Sequence, residues 1–360
     1  MLIQCTKKLL DQLKIKPAAA KDEQPLFSWH ANLITVNHRK AVVLVNDSSR
    51  YVITLYGLKA KDFANLDDLI TNGIRETFLD ECIKEEIVDN YLNFTPEIVY
   101  TKTKNRSYVA KMNKACDTVF FYGGILSTDT INQSTVNIKA SANSVGDDTL
   151  PCDILYRDLK DFAREPIFRS KAFQFKVTLD LENHHVWRRI LVPSHITFRQ
   201  LHNVLQIVFD WEGYHLHDFN IFDGKKSIVN LVCDTEAFEY LGDVPMILET
   251  EKRLTDYIPK YSRLQYTYDF GDDWEHYIEL EKVIDDYPEN YPECLAGEGK
   301  TPPEDVGGSP GYDQFLEAYL NPNHPEHQDM VQWAGYRYQD FNMEFVNRRL
   351  KNALKDIWHR

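Results

Sequence analysis

The run FQFKVTLDLENHHVWRRILV, Phe173–Val192, decides how the second half of this chain folds. Phe173, Phe175, Val177, Leu179 and Leu181 alternate with Gln174, Lys176, Thr178 and Asp180, the period of a strand buried on one face. Glu182-Asn183-His184-His185 turns the chain, and Val186 to Val192 returns as the hairpin partner. Thr197-Phe198-Arg199-Gln200 then fits a capping box. Leu201, Val204, Leu205 and Val208 follow at the spacing of an amphipathic helix.

Working toward the C-terminus, Tyr214–Phe222 reads as a strand, and Leu264–Phe270 with Trp274–Val283 as a hairpin. Ser309-Pro310 reads as a helix start, with Ser at N-cap and Pro at N1, ahead of Tyr312–Leu320. A last helix is expected over Asn342–Trp358. The order predicts an α+β domain: a mixed sheet with packed helices in a β-grasp-like layout.

Working toward the N-terminus, Leu33–Val36, Ala41–Val45 and Tyr51–Tyr56 form a three-stranded meander. Helical stretches follow at Leu66–Tyr91 and Tyr108–Tyr122. Thr128–Thr149 is rich in Asn, Ser, Thr and Asp, so it reads as a linker or loop. Two domains are expected, 1–148 and 171–360, joined by 149–170, and 360 residues suffice for both.

The six cysteines are scattered and never spaced C-x-x-C, which predicts reduced thiols. The N-terminus shows no signal-peptide pattern, and no apolar run reaches the ~20 residues of a membrane span, so the expected place is the cytoplasm. The net charge of −14 is concentrated: Tyr266–Glu326 holds sixteen acids and two bases. Such a segment opposes nonspecific nucleic-acid binding, which needs a basic track along the phosphates. It is either a solvated acidic face or a functional one.

Three stretches could carry chemistry. In Tyr214-His215-Leu216-His217-Asp218-Phe219, strand alternation puts His215 and His217 on one face, either as metal ligands or as hydrogen-bonded sheet residues. In YDFGDDWEH, Tyr268–His276, the turn around Gly271 gathers Asp269, Asp272 and Asp273, and His276 follows on the face of Trp274. In GEGKTPPEDVGGSPGY, Gly297–Tyr312, Thr301–Glu304 also fits a capping box with Pro302 at N1. Gly307-Gly308 resembles a phosphate-cradling loop, but it lacks the P-loop ending and its acidic neighbours oppose an anion. Cys294 lies among acids, which raise a thiol pKa and disfavour a nucleophilic role.

The three stretches, a late Trp333-Ala334-Gly335 and the terminal VNRRL at 346–350 together resemble the plasmid pRiA4b ORF-3-like family over Phe173–Leu350. The first 150 residues resemble an uncharacterised bacterial domain, through Leu26–Asn32 and Tyr56–Lys61. The resemblance implies an α+β fold and cargo of plasmids or mobile elements, with no assigned catalytic residues.

The reading is a ligand- or protein-binding accessory protein of a mobile-element or defence-type setting. Its ligand site would be drawn from Tyr214, His215, His217, Asp269, Asp272, Trp274, His276, Glu304, Asp305 and Tyr312. The alternative is a metal-dependent hydrolase, a phosphodiesterase or nuclease. A divalent metal would then sit on His215, His217, Asp269, Asp272 and His276, with Glu304 or Asp305 as general base. Sequence-specific DNA binding is a third reading. The expected neutraliser of the acid cluster is either that metal or arginine, from Arg188, Arg189, Arg253, Arg263, Arg348 or Arg349.

Overall fold

Ala41-Val42-Val43-Leu44-Val45 is apolar at every position, so a sheet that carries it must be covered on both faces. The computed structural model describes residues 1–19, 23–104, 106–143, 149–239, 244–250 and 252–355, and it shows that cover. The first unit, residues 1–169, contains β1 (Leu2–Cys5), α1 (Lys7–Leu13), β2 (Ser28–Val36), β3 (Arg39–Asn46), β4 (Val52–Leu58), α2 (Leu66–Asp80), α3 (Glu85–Phe94), β5 (Val99–Lys102), α4 (Arg106–Phe121), α5 (Ser134–Ser141) and α6 (Pro151–Ala163). The expected meander β2–β3–β4 is antiparallel, and β1 lies parallel between β2 and β5. Val42 and Leu44 face a core shared with α2, α3 and α6, while Val43 and Val45 face one shared with α4 and α5. The helical run expected from Leu66 breaks at Cys82, which takes φ +63.

The joins differ from the sequence expectation. Residues 149–170 are not a connecting stretch. Pro151 opens α6 at its first turn, and Cys152, Leu155 and Leu159 are buried in the first unit's core, as are Ile167 and Phe168. Their i, i+3, i+7 spacing is a helical stripe. The polar stretch from Thr128 likewise contains a helix, α5, and its polar side chains have a structural use. β4 is a sheet edge with free N–H groups. Asn137 Oδ1 accepts from Thr54 N at 2.7 Å and Ser141 Oγ from Val52 N at 2.9 Å. Residues 144–148 of the expected linker lie outside the described residues. The division falls between Arg169 and Ser170, and Lys355 belongs again to the first unit, so the second domain ends at Leu354.

The second unit, Ser170–Leu354, contains β6 (Ser170–Leu179), β7 (Val186–Pro193), α7 (Phe198–Phe209), β8 (His217–Asp223), β9 (Lys226–Val232), β10 (Met246–Leu248), β11 (Arg263–Tyr268), β12 (Trp274–Tyr287), β13 (Glu293–Glu298), α8 (Gly308–Leu320), α9 (His327–Ala334) and α10 (Met343–Leu350). Its sheet runs β10-β9-β8-β11-β12-β6-β7-β13, antiparallel except for β9 and β10. The hairpin β6–β7 pairs Phe175 with Ile190 and Val177 with Arg188. The capping box of α7 is made in both directions, Thr197 with Gln200. The apolar face of α7 packs with Phe173, Phe175 and Val177 in one core.

Two helix starts differ from expectation. α8 is capped by Gly307 at φ +93 and begins at Gly308, so Ser309 and Pro310 lie inside its first turn. α10 is capped by Asn342, which accepts from Phe345 N at 2.9 Å, but it ends at Leu350; residues 356–358 of the longer helix lie outside the described residues. Among the described residues no helix is long and apolar enough to cross a membrane.

If α6 belongs to the first unit's core, Leu155→Ala and Leu159→Ala will each cost about 2–5 kcal/mol in denaturant unfolding of that unit. A solvated linker would show changes within about 0.5 kcal/mol.

Candidate functional site

The two histidines expected on one strand face are separated, because β8 begins at His217 and His215 precedes it, two residues after Gly213 at φ +76. His217 is buried. Its Nε2 lies 3.2 Å from Glu249 Oε1, and its ring stacks on His202 with centroids 3.7 Å apart. His202 Nδ1 is 2.7 Å from the Tyr266 hydroxyl, to which Gln206 also donates at 2.9 Å. His217 therefore belongs to a polar layer inside the core.

His276 is elsewhere and wholly buried, packed by Phe209, Trp211 and Tyr266. Its Nδ1 lies 3.0 Å from Trp274 O and 3.2 Å from Tyr266 O, so this nitrogen carries hydrogen and donates to the carbonyls. Burial pushes its pKa down to about 3, with the two carbonyl bonds acting the other way. Trp274 and Tyr312 are also core residues, the Tyr312 hydroxyl lying 3.0 Å from that of Tyr338. The five-residue metal set is thus not assembled: His217 and His276 have other partners, and Asp272 Oδ2 accepts from Gly307 N at 3.1 Å.

A smaller set does converge at the surface. His215 Nε2 lies 3.1 Å from Asp305 Oδ1 and 3.5 Å from Asp269 Oδ2, and Tyr214 donates to Asp305 Oδ2 at 2.9 Å. One ligand atom each from His215, Asp269 and Asp305 lie within 4.8 Å of one another, the single such group of three among the described residues. The carboxylate of Asp305 is about half exposed, at 52%.

The backbone fixes these side chains. Asp269, Asp273 and Asp305 all have positive φ, 56°, 57° and 60°. Aspartate tolerates this region better than most residues, but each such position costs on the order of 1 kcal/mol. Asp269 Oδ1 accepts from Gly271 N at 3.0 Å, and Asp269 N donates to Leu216 O at 2.9 Å. Gly308 is there for close approach, since a Cβ on it would come within 2.6 Å of Asp272 O, and Gly307 for its φ of +93. The glycines seat the aspartate turn against the start of α8 rather than cradling a phosphate.

Glu304 does not cap a helix. Its carboxylate accepts from the Tyr268 hydroxyl and from Glu212 N at 2.9 Å, and burial raises its pKa. Trp211 stacks on Tyr268 at 5.2 Å and donates to Pro302 O at 2.9 Å, holding the loop that carries Glu304 and Asp305. Arginine neutralises part of the acidic segment, at Glu279 and Glu281, but among the described residues none pairs with Asp269, Asp272 or Asp305. Arg189 pairs with Glu281, Arg263 with Glu279, Arg349 with Asp210, and Arg253 donates to His195 O. The Cys294 thiol is pushed up to about 11, chiefly by burial rather than by the neighbouring acids. Residues with no motif around them, Trp211 and Glu249, were not legible as part of this region; Trp211 follows α7 by two residues, which was the available signal.

Residues 171–349 match the family described as plasmid pRiA4b ORF-3-like protein, and residues 2–151 match a domain of unknown function, DUF6933. The chain is 33% identical over 190 residues to the uncharacterized protein y4hQ of Sinorhizobium fredii (strain NBRC 101917 / NGR234), covering 52% of this chain and 93% of that relative. The crystal structure of a protein of unknown function, MM3350 from Methanosarcina mazei Go1, is 34% identical, with a TM-score of 0.42 over 49% of this chain and 97% of that one.

A histidine held neutral by burial makes stability depend on pH. With a folded pKa near 3 against about 6.5 unfolded, the unfolded chain binds the extra proton between those values. Stability should therefore fall as pH drops below about 6.5, by up to about 1.4 kcal/mol per unit. His276→Gln should flatten that slope in pH-dependent unfolding; an unchanged slope would show that His276 already takes up its proton when folded.

Proposed function

We propose, for a chain that belongs to the plasmid pRiA4b ORF-3-like family through residues 171–349, a role as a binding accessory protein of a mobile-element setting. Its recognition site is the cluster Tyr214, His215, Asp269 and Asp305. The observation that carries this reading is the convergence of three ligand atoms within 4.8 Å at the surface, the two aspartates on backbone held at positive φ. Two carboxylates and an imidazole form a preorganised receptor for a cationic group. The group is a divalent ion, or the ammonium or guanidinium of a ligand or protein partner.

The hydrolase reading asks more of the site. It needs a base beside the bound ion. Glu304 already accepts a hydrogen bond on each oxygen, and Asp305 belongs to the ligand set itself. Imidazole with two carboxylates is a donor set that zinc and manganese accept, so a metal ion is a direct probe of the receptor.

Zn²⁺ or Mn²⁺ should raise the melting temperature of the full chain by mass action, since the site exists only in the folded state. Asp305→Asn should remove most of that rise while leaving the metal-free melting temperature nearly unchanged, because Asp305 is half exposed. A calorimetric titration showing no heat above dilution for either ion would overturn the cation-receptor reading.

A further inference from the structure

Alternation along β8 turns Asp218 and Asn220 to the sheet face opposite the core residues Phe219 and Ile221. On β9, Asn230 stands opposite Asn220 in register, and on β11 Thr267 stands opposite Asp218. Polar side chains from three adjacent strands therefore gather on one patch. Asn230 and Thr267 are buried there, at 7% and 9% exposure. Asp218 belongs to the histidine-bearing stretch Tyr214–Phe219 but takes no part in the surface cluster.

Asn230 Nδ2 donates to Asp218 Oδ2 at 2.7 Å. Because a carboxylate accepts, that bond fixes which amide atom is nitrogen and which is oxygen. The second oxygens, Asp218 Oδ1 and Asn230 Oδ1, are both sealed from solvent, and neither has a hydrogen-bond partner. Burial raises the Asp218 pKa, with Asn230 and the Thr267 hydroxyl acting the other way. Among the described residues no lysine or arginine pairs with this carboxylate, and the adjacent His217 turns into the core, where it meets Glu249 at 3.2 Å. Two acceptors without a donor and a buried charge without a counter-charge are separate costs, and both fall at one place.

We propose that this patch binds a monovalent metal cation, sodium or potassium, through Asp218 Oδ1, Asn230 Oδ1 and the Thr267 hydroxyl. Hard cations take oxygen ligands, and a carboxylate with an amide oxygen is such a set. The charge selects within that class. The patch supplies one negative charge, so a monovalent ion leaves the interior neutral, whereas a divalent ion leaves a buried positive charge to be met. A water molecule would satisfy both oxygens and leave the carboxylate uncompensated. A proton shared between Asp218 and Asn230 would neutralise it, but the 2.7 Å bond from Nδ2 has the short length of a bond to an ionised acceptor. This site shares no residue with the cation receptor of His215, Asp269 and Asp305, so it stands or falls separately.

The test compares thermal unfolding of the full chain carrying Asp305→Asn, which removes the surface receptor, in sodium, potassium and tetramethylammonium chloride at equal ionic strength. Sodium or potassium should raise the melting temperature of the second unit by about 3 °C over tetramethylammonium, whose methyl groups keep its charge from oxygen ligands. Asp218→Asn should abolish that difference. In tetramethylammonium it should melt no lower than its parent, because an uncompensated buried charge has gone. In parent crystals, thallium(I) in place of potassium should give an anomalous peak between Asp218 Oδ1 and Asn230 Oδ1, a readout that needs no variant. Equal melting in all three salts would overturn the proposal and leave a shared proton or a water molecule at the patch. So would a salt difference that survives Asp218→Asn, or the lack of a thallium peak beside Asp218. A larger rise with calcium that Asp218→Asn also removes would overturn the monovalent assignment.

Discussion

The second unit is organised around one buried cation. Arg188 on β7 reaches across to the last turn of α7 through Val208 O and to the end of β13 through Glu298 O and Gly299 O. A guanidinium inside a protein is expensive unless its donors are used and its charge is met. Here the donors are used by four carbonyls and the Thr301 hydroxyl, and the charge is met only in part. The C-terminal end of α7 offers the negative pole of its dipole, and the rings of Phe341 and Phe209 offer their faces. The neighbours are shaped to let this happen. A Cβ on Gly297 would come within 2.8 Å of Arg188 Cδ, and one on Gly299 within 2.3 Å of His185 O. The sheet edge, the helix terminus and the loop leading to Thr301 are therefore located by the same side chain, and the loop carries Glu304 and Asp305 onward.

From that loop the site follows almost by geometry. Trp211 and Tyr268 stack and fix the Pro302 carbonyl and the Glu304 carboxylate. The next residue, Asp305, is forced to φ +60 and turns outward to Tyr214 and His215. The aspartate turn at Asp269 arrives from the β11–β12 hairpin and is pressed against Gly307 and Gly308. Two loops distant in sequence thus meet because one has glycines where the other has a carbonyl. Positive φ at three aspartates is local strain kept by the surrounding packing.

How much of this was legible depends on whether a signal was local. The β6–β7 hairpin and α7 were readable because alternation and the Thr197/Gln200 box are properties of neighbouring residues. The aspartate turn was readable for the same reason. α6 was misread as a connection although its apolar stripe was present, because the polar composition before it suggested a linker. α5 shows why that composition misled: Asn137 and Ser141 are polar because they satisfy the edge of β4, and the sheet order that makes β4 an edge is not written locally. His217 was placed with His215 by strand alternation, which fails where the strand starts two residues later. Its actual partners, His202 and Glu249, are 15 and 32 residues away in sequence, and nothing in the spacing pointed to them.

The acidic segment resolves into two populations by the same reasoning. Along β12 the charged side chains alternate outward and find cations on or beside neighbouring strands: Glu281 with Arg189 at 2.7 Å, Glu279 with Arg263 at 3.5 Å, and Asp285 with Lys171 at 3.2 Å. These are cross-strand surface pairs, each worth little, and they account for a solvated face. Asp269 and Asp305 are different. Their partners are backbone amides, a tyrosine hydroxyl and one imidazole, none of which carries a permanent positive charge. Negative charge is thus balanced along the strand and left in excess at the loops. A fold that balances charge along one strand and leaves it uncompensated on rigid loop backbone has a place where a ligand's positive charge would complete the electrostatics.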